Sequence, residues 1–163
     1  MIVVSNTTPL IGLASIGHFD LLWRLFGKIH IAQSVYGEVV IRGYEQGGAK
    51  REVETADWME IVSVKDRLAV DVLLDELDAG EAETIVLAKE VEADWVLMDE
   101  KKGRRKLKQL GLHTMGTLGI LLRAKQSGLL LEIRPSIERL HRQGFSLGKT
   151  VIESVLRQAG ESL

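Results

Sequence analysis

The chain has 163 residues, no cysteine, 45% hydrophobic and 27% charged side chains and a formal net charge of −2. That length suits one domain with a substantial core, and the composition is ordinary for a globular protein. Without cysteine there are no disulfides, thiolate zinc sites or cysteine nucleophiles. No apolar run approaches the ~20 residues that cross a bilayer. The start, "MIVVSNTT", lacks the basic and long apolar regions of a secretory signal, so a cytoplasmic location without membrane contact is expected.

The small net charge hides a division. Residues 1–100 hold 8 basic and 19 acidic side chains, and residues 101–163 hold 13 basic and 4 acidic. Either the halves neutralise each other in the fold, or an acidic cluster lies beside an anion-facing surface.

In chain order, the apolar runs "IVVS" (2–5), "IHIA" (29–32), "IVSV" (61–64), "WVLM" (95–98) and "HTM" (113–115) alternate with helical patterns. That alternation predicts βαβ units and a parallel sheet covered on both faces. After the first run, Thr8 is expected to cap a helix with Pro9 at its first position, leaving Asn6 at the top of the sheet. In "QSVYGEVVIRG", Ser34 is expected to cap a helix with Glu38 about one turn in. The segment "GYEQGG" (43–48) reads as a glycine-rich joint.

In "LDAGEAETIVLAKEVEAD" two glutamates compete. At 100° per residue, Glu83 falls ~20° from Glu90 on a polar stripe, whereas Glu81 falls between Ile85 and Ala88 on the inward side. An inward carboxylate needs a partner, although an acid also suits a helix N-terminus. Asp99 closes the fourth run, and six of the eight residues from Lys101 to Lys108 are basic. A solvated helix would show the same charge pattern, so that run alone does not decide for nucleic acid.

The tail, "PSIERLHRQG" and "GKTVIESVLRQAG", predicts two helices, with Pro135 in the first turn of one and stops at Gly144 and Gly160. No linker marks a second domain. One domain over 1–163 is expected, with a core of about 1–130 and a helical extension of about 131–163. "GFSLGKT" (144–150) mimics a phosphate loop but has three residues between its glycines rather than four, and no strand run precedes it. His18, His30, His113 and His141 lack zinc-site spacing.

Ligands of open parallel sheets bind beyond the carboxyl ends of the strands. Asn6 and Asp99 occupy that position, and Glu38 and Glu81 are expected to join them. Three carboxylates and an amide oxygen make a poor cluster unless a hard cation is shared, and oxygen donors favour Mg²⁺ or Mn²⁺.

The stretches "VVSNTTPLIGLASIG", "VYGEVV", "GEAETIVLA", "VLMDEKKGRRKLKQLGL" and "GTLGILLRAKQSGLL", in this order and spacing, resemble the PIN-domain family, especially PIN-like proteins related to VapC-type toxins of toxin–antitoxin modules. The resemblance covers most of residues 2–130 and extends into the tail. It implies a three-layer α/β/α fold with a central parallel sheet and a Mg²⁺- or Mn²⁺-dependent ribonuclease site. By position, Glu38, Glu81 and Asp99 would hold metal. Asn6 takes the place of the family's first acid, with Thr7 and Thr117 in support. Lys101, Lys102, Arg104 and Arg105 would hold RNA phosphates. A homodimer and a small antitoxin partner are further implications. Asn6 carries no charge and cannot act as a base. The competing reading is therefore a catalytically impaired PIN-fold protein that binds RNA or a protein without cutting.

Overall fold

The computed structural model describes residues 1–43 and 48–162. Most of the joint at 43–48 lies outside the described residues. Five parallel strands form one sheet: β1 (Val3–Ser5), β2 (Ile29–Ala32), β3 (Met59–Val62), β4 (Trp95–Leu97) and β5 (Thr114–Met115). Their spatial order is β3-β2-β1-β4-β5. The chain builds outward from β1 to β3, then returns to the other side of β1 to lay down β4 and β5. The order reverses between β1 and β4, which opens a crevice at their carboxyl ends.

Strand alternation makes the layers. Val3, Ile29, Ile31, Leu97 and Met115 face one apolar cluster with Leu10, Leu13, Leu22, Leu118 and Leu121. Val4, Ala32, Val96 and Met98 face the other, with Val70, Ile85, Leu87 and Leu107. Successive side chains of a strand point to opposite faces, so a strand buried on both sides reads as a continuous apolar run. The first face is covered by α1 (Thr7–Ser15), α2 (Leu21–Phe26), α8 (Thr117–Gln126) and the tail helices α9 (Arg134–Arg142) and α10 (Lys149–Gln158). The second is covered by α5 (Arg67–Leu73), α6 (Ala79–Glu90) and α7 (Lys101–Gln109). This is the expected three-layer α/β/α arrangement.

The tail helices start and stop where the sequence predicts. Pro135 lies in the first turn of α9, and Gly144 and Gly160 take positive φ beyond α9 and α10. Ile137, Leu140, Val155 and Leu156 bury into the first cluster. Glu161 closes the tail: its carboxylate accepts the N–H groups of Ile133 and Arg134 at 2.8 and 3.0 Å and lies 2.9 Å from Lys125 Nζ. "GFSLGKT" follows α9 rather than a strand, so it lacks the setting of a phosphate loop.

Three local expectations fail for tertiary reasons. The strand expected at 61–64 runs over Met59–Val62, pairing along β2 from Ile29↔Met59 to Ala32↔Val62. It is an edge strand with two exposed residues, so its pattern is not a plain apolar run. Helix α1 begins at Thr7, with Asn6 at the cap position and Pro9 third in the helix, still within the turn whose N–H groups need no partner. The Thr8 hydroxyl donates to Glu100 Oε1 at 2.8 Å instead of capping. Likewise α3 (Gln33–Tyr36) begins one residue before Ser34, whose N–H donates to Glu83 Oε1 at 3.0 Å.

Candidate functional site

Asn6 and Asp99 follow neighbouring strands where the strand order reverses. Ser5 pairs with Leu97 across β1 and β4, and Asn6 N–H donates to Leu97 O at 2.9 Å. The residues that follow the two strands therefore share one end of the sheet.

Asn6 is 3% exposed. Its Nδ2 donates to Glu100 Oε2 at 3.1 Å and contacts Met98 Sδ at 3.4 Å. Its Oδ1 is buried and has no hydrogen-bond partner among the described residues.

Asp99 accepts from Thr117 N–H at 2.8 Å and from the Thr117 hydroxyl at 2.7 Å. Gly116 makes room for it: a Cβ there would lie 2.9 Å from Asp99 Oδ1 and 3.1 Å from Arg104 Nη1. Burial pushes the Asp99 carboxyl above the ordinary carboxylate range, and Glu100 adds to the push. The two Thr117 donors and Arg104 pull the other way without cancelling it.

Glu38 arrives on a wide turn, Gly37–Ile41, that continues α3 with π-type hydrogen bonding, a distortion often found at functional sites. Its Oε2 accepts from the Thr7 hydroxyl at 2.7 Å. Its carboxylate presses on Gly80, where any Cβ would collide with it. Gly80 opens α6 beside Glu81, so Glu38 and the start of α6 are in direct contact.

Glu81 is half-buried and closes a reciprocal cap with Asp78. Its Oε1 accepts Asp78 N–H at 3.0 Å, and its own N–H donates to Asp78 Oδ1 at 2.8 Å. Burial raises the Glu81 carboxyl against the pull of the Asp78 N–H, and the charges of Asp78 and Glu100 raise it further. The helix-end role expected of Glu81 is thus present, and its side chain is half-buried.

Glu83 is not on a polar stripe. It is 6% exposed, because α6 lies against α3, α5, α7 and the sheet and has no wet side over Ala82–Ala88. Burial would raise its carboxyl, but Arg67 Nη1 at 2.8 Å and Ser34 N–H hold it below the ordinary range. Glu83 joins three helices and takes no part in the cleft.

The basic helix α7 divides into two groups. Lys101, Lys102, Arg105 and Lys108 are exposed, while Gly103 and Leu107 are buried. Arg104 turns inward and donates to Met98 O at 3.0 Å beside Asp99. It is a wall of the cleft rather than part of the open basic surface.

Glu100 was not among the residues expected at the site. It sits at the cap position of α7 and binds both Asn6 and Thr8. The adjacent acid in "MDE" was its only local signal. Asp78 had a clearer one, the capping pattern in "DAGE".

A model of the PIN-domain family DUF3368 matches residues 2–161. The chain belongs to the PIN-domain family. No curated protein sequence matches it. The PIN fold is of the nuclease type, and PIN domains generally use divalent metal ions. In this PIN domain the side-chain donors at the cleft are oxygens, as a hard cation prefers, and Asn6 Oδ1 is an unused buried acceptor. In chemistry the donor set fits such an ion. Among the described residues, however, no three acidic or histidine side chains stand close enough together to hold one. Each carboxylate is instead tied to a neighbouring donor. No helix among the described residues is long and apolar enough to cross a membrane.

Proposed function

We propose that the protein is a Mg²⁺- or Mn²⁺-dependent endoribonuclease that hydrolyses RNA phosphodiesters at the crevice between β1 and β4. The observation that carries this reading is Asn6 Oδ1, a buried acceptor with no donor among the described residues, at the strand-order reversal where β1 ends next to β4. A buried acceptor left without a partner costs about 1–3 kcal/mol, a cost that a cation at that oxygen removes.

Asp99, Glu38, Glu81 and Asn6 would hold the ion. A bound divalent cation supplies an acidified water and offsets charge on the scissile phosphate. The protein's own groups prepare for this. Thr117 fixes both oxygens of Asp99, and Thr7 fixes Oε2 of Glu38. Lys101, Lys102 and Arg105 offer charge to phosphates on either side of the cut without reading sequence. The toxin-like role, an antitoxin partner and a homodimer rest on the resemblance to VapC-type proteins.

A second reading has its own observation. The Asn6 amide is engaged by Glu100, and no three acids are gathered among the described residues. On that reading the domain binds RNA or protein without cutting. Incubating the purified protein with mixed RNAs in Mg²⁺, in Mn²⁺ and in chelator separates the two. The nuclease reading expects fragments with metal and none with chelator. Intact RNA in all three, with RNA still retained by the protein, would favour the binding module.

A further inference from the structure

The Asn6 amide spends its whole donor side on one neighbourhood. Nδ2 meets Glu100 Oε2 at 3.1 Å and Met98 Sδ at 3.4 Å, and Glu100 Oε1 takes the Thr8 hydroxyl at 2.8 Å. The amide is planar, so fixing Nδ2 also fixes Oδ1 on the side away from these acceptors. Aspartate could not replace asparagine here unaided. It has no donor, and its carboxylate would face that of Glu100 at hydrogen-bond distance, where like charges repel strongly.

We propose that Asn6 and Glu100 are a charge-exchanged pair. The carboxylate stands at position 100, while Asn6 anchors it and presents its own Oδ1 to the cation. This rests on the metal-dependent reading above and extends it by giving Glu100 a role. Glu100 thereby supplies, in contact with Asn6, the negative charge that position 6 lacks. Glu100 is a positioning residue, since it acts through the orientation of Asn6 and through its charge beside Asp99 and Glu81. The pair also explains Thr8. Its hydroxyl anchors the second oxygen of Glu100, so the carboxylate cannot turn away from Asn6.

The test is a double-mutant cycle on Asn6→Asp, Glu100→Gln and the two together, read as thermal unfolding with and without Mn²⁺. Asn6→Asp alone is expected to lower the Tm of the metal-free protein. Glu100→Gln keeps an acceptor for Asn6 but loses a charge, so Mn²⁺ affinity should fall about 10–100-fold, as when a supporting group around a metal site is removed. In the double variant, the introduced glutamine amide can donate to the introduced aspartate carboxylate, and both Tm and Mn²⁺ affinity should recover towards the parent. Effects that simply add, or an Asn6→Asp protein as stable as the parent without metal, would overturn the pairing. A parent whose Tm ignores Mn²⁺ and Mg²⁺ overturns the metal-dependent reading and the cation role of Oδ1. The metal-free half of the cycle still decides the pairing.

Discussion

Thr117 holds both oxygens of Asp99, with its N–H on Oδ1 at 2.8 Å and its hydroxyl on Oδ2 at 2.7 Å. The first residue of α8 thereby aims the acid that follows β4. Thr117→Val keeps the shape and the N–H bond but removes the hydroxyl donor to a buried carboxylate. Stability should fall by about 1–3 kcal/mol at neutral pH. The folded protein already holds Asp99 above its ordinary value of ~3.9. The missing bond favoured the charged form, so the variant's deficit should shrink as the pH falls through the folded value. Urea unfolding at neutral and acidic pH measures both effects.

Glu81→Gln should act in the opposite direction. Glutamine still accepts the Asp78 N–H, so the cap of α6 survives. Because the folded state raises Glu81, the native protein binds more protons than the unfolded chain between the two values. Parent stability therefore falls as the pH rises through that window, and the cost persists at neutral pH. The variant should show the higher Tm at about pH 7, with the gap closing towards the ordinary glutamate value of ~4.3. A lower Tm at neutral pH would mean that the Glu81 charge is compensated in the metal-free protein.

Glu83 carries the reverse sign. Its carboxyl is held below the ordinary range by Arg67 and Ser34, so its contribution is complete above about pH 4.3 and is lost as the pH falls through the lower folded value. Glu83→Ala should cost about 1–3 kcal/mol at neutral pH, because Ser34 N–H loses its acceptor. Arg67→Ala should destabilise in the same direction. Neither change should alter Mn²⁺ binding relative to the folded parent, a point that titration calorimetry on the folded variants would check.

The two groups of α7 should separate in a salt titration of RNA binding. Replacing Lys101, Lys102 or Arg105 by alanine should lower the log–log salt slope by ~0.7 for each phosphate of single-stranded RNA that is no longer neutralised, with Tm unchanged. Arg104→Ala should instead lower Tm, since Arg104 supports Met98 O and borders Asp99. Equal effects at all four positions would contradict the inward placement of Arg104.

Buried parallel strands are legible because both faces are dry, and this is why four of the five runs follow from the sequence. That Asn6 and Asp99 follow neighbouring strands depends on the pairing of β1 with β4, which no local pattern encodes. Glu83 is buried rather than on the expected polar stripe: a helical wheel assumes one wet face, and α6 has none over Ala82–Ala88. The role of Glu100 is fixed by Asn6, 94 positions away, and the role of Thr8 is fixed by Glu100. No local pattern encodes either one. The start of α1 differs for the same reason, because the Thr8 hydroxyl expected to cap it is engaged by Glu100. Glu38 lies on a π-type turn packed against Gly80, a contact between residues 42 positions apart that no local pattern encodes.

The most direct test of the central claim is RNA cleavage by the parent protein across a Mn²⁺ titration, run beside Glu38→Gln. Glu38 accepts the Thr7 hydroxyl, and glutamine can keep that bond through its amide oxygen, so folding should be spared. The account predicts cleavage that rises with Mn²⁺ and saturates in the parent. In the variant it predicts a titration shifted to higher Mn²⁺ or abolished. Cleavage that is indifferent to Mn²⁺, or the same titration for both proteins, would contradict it.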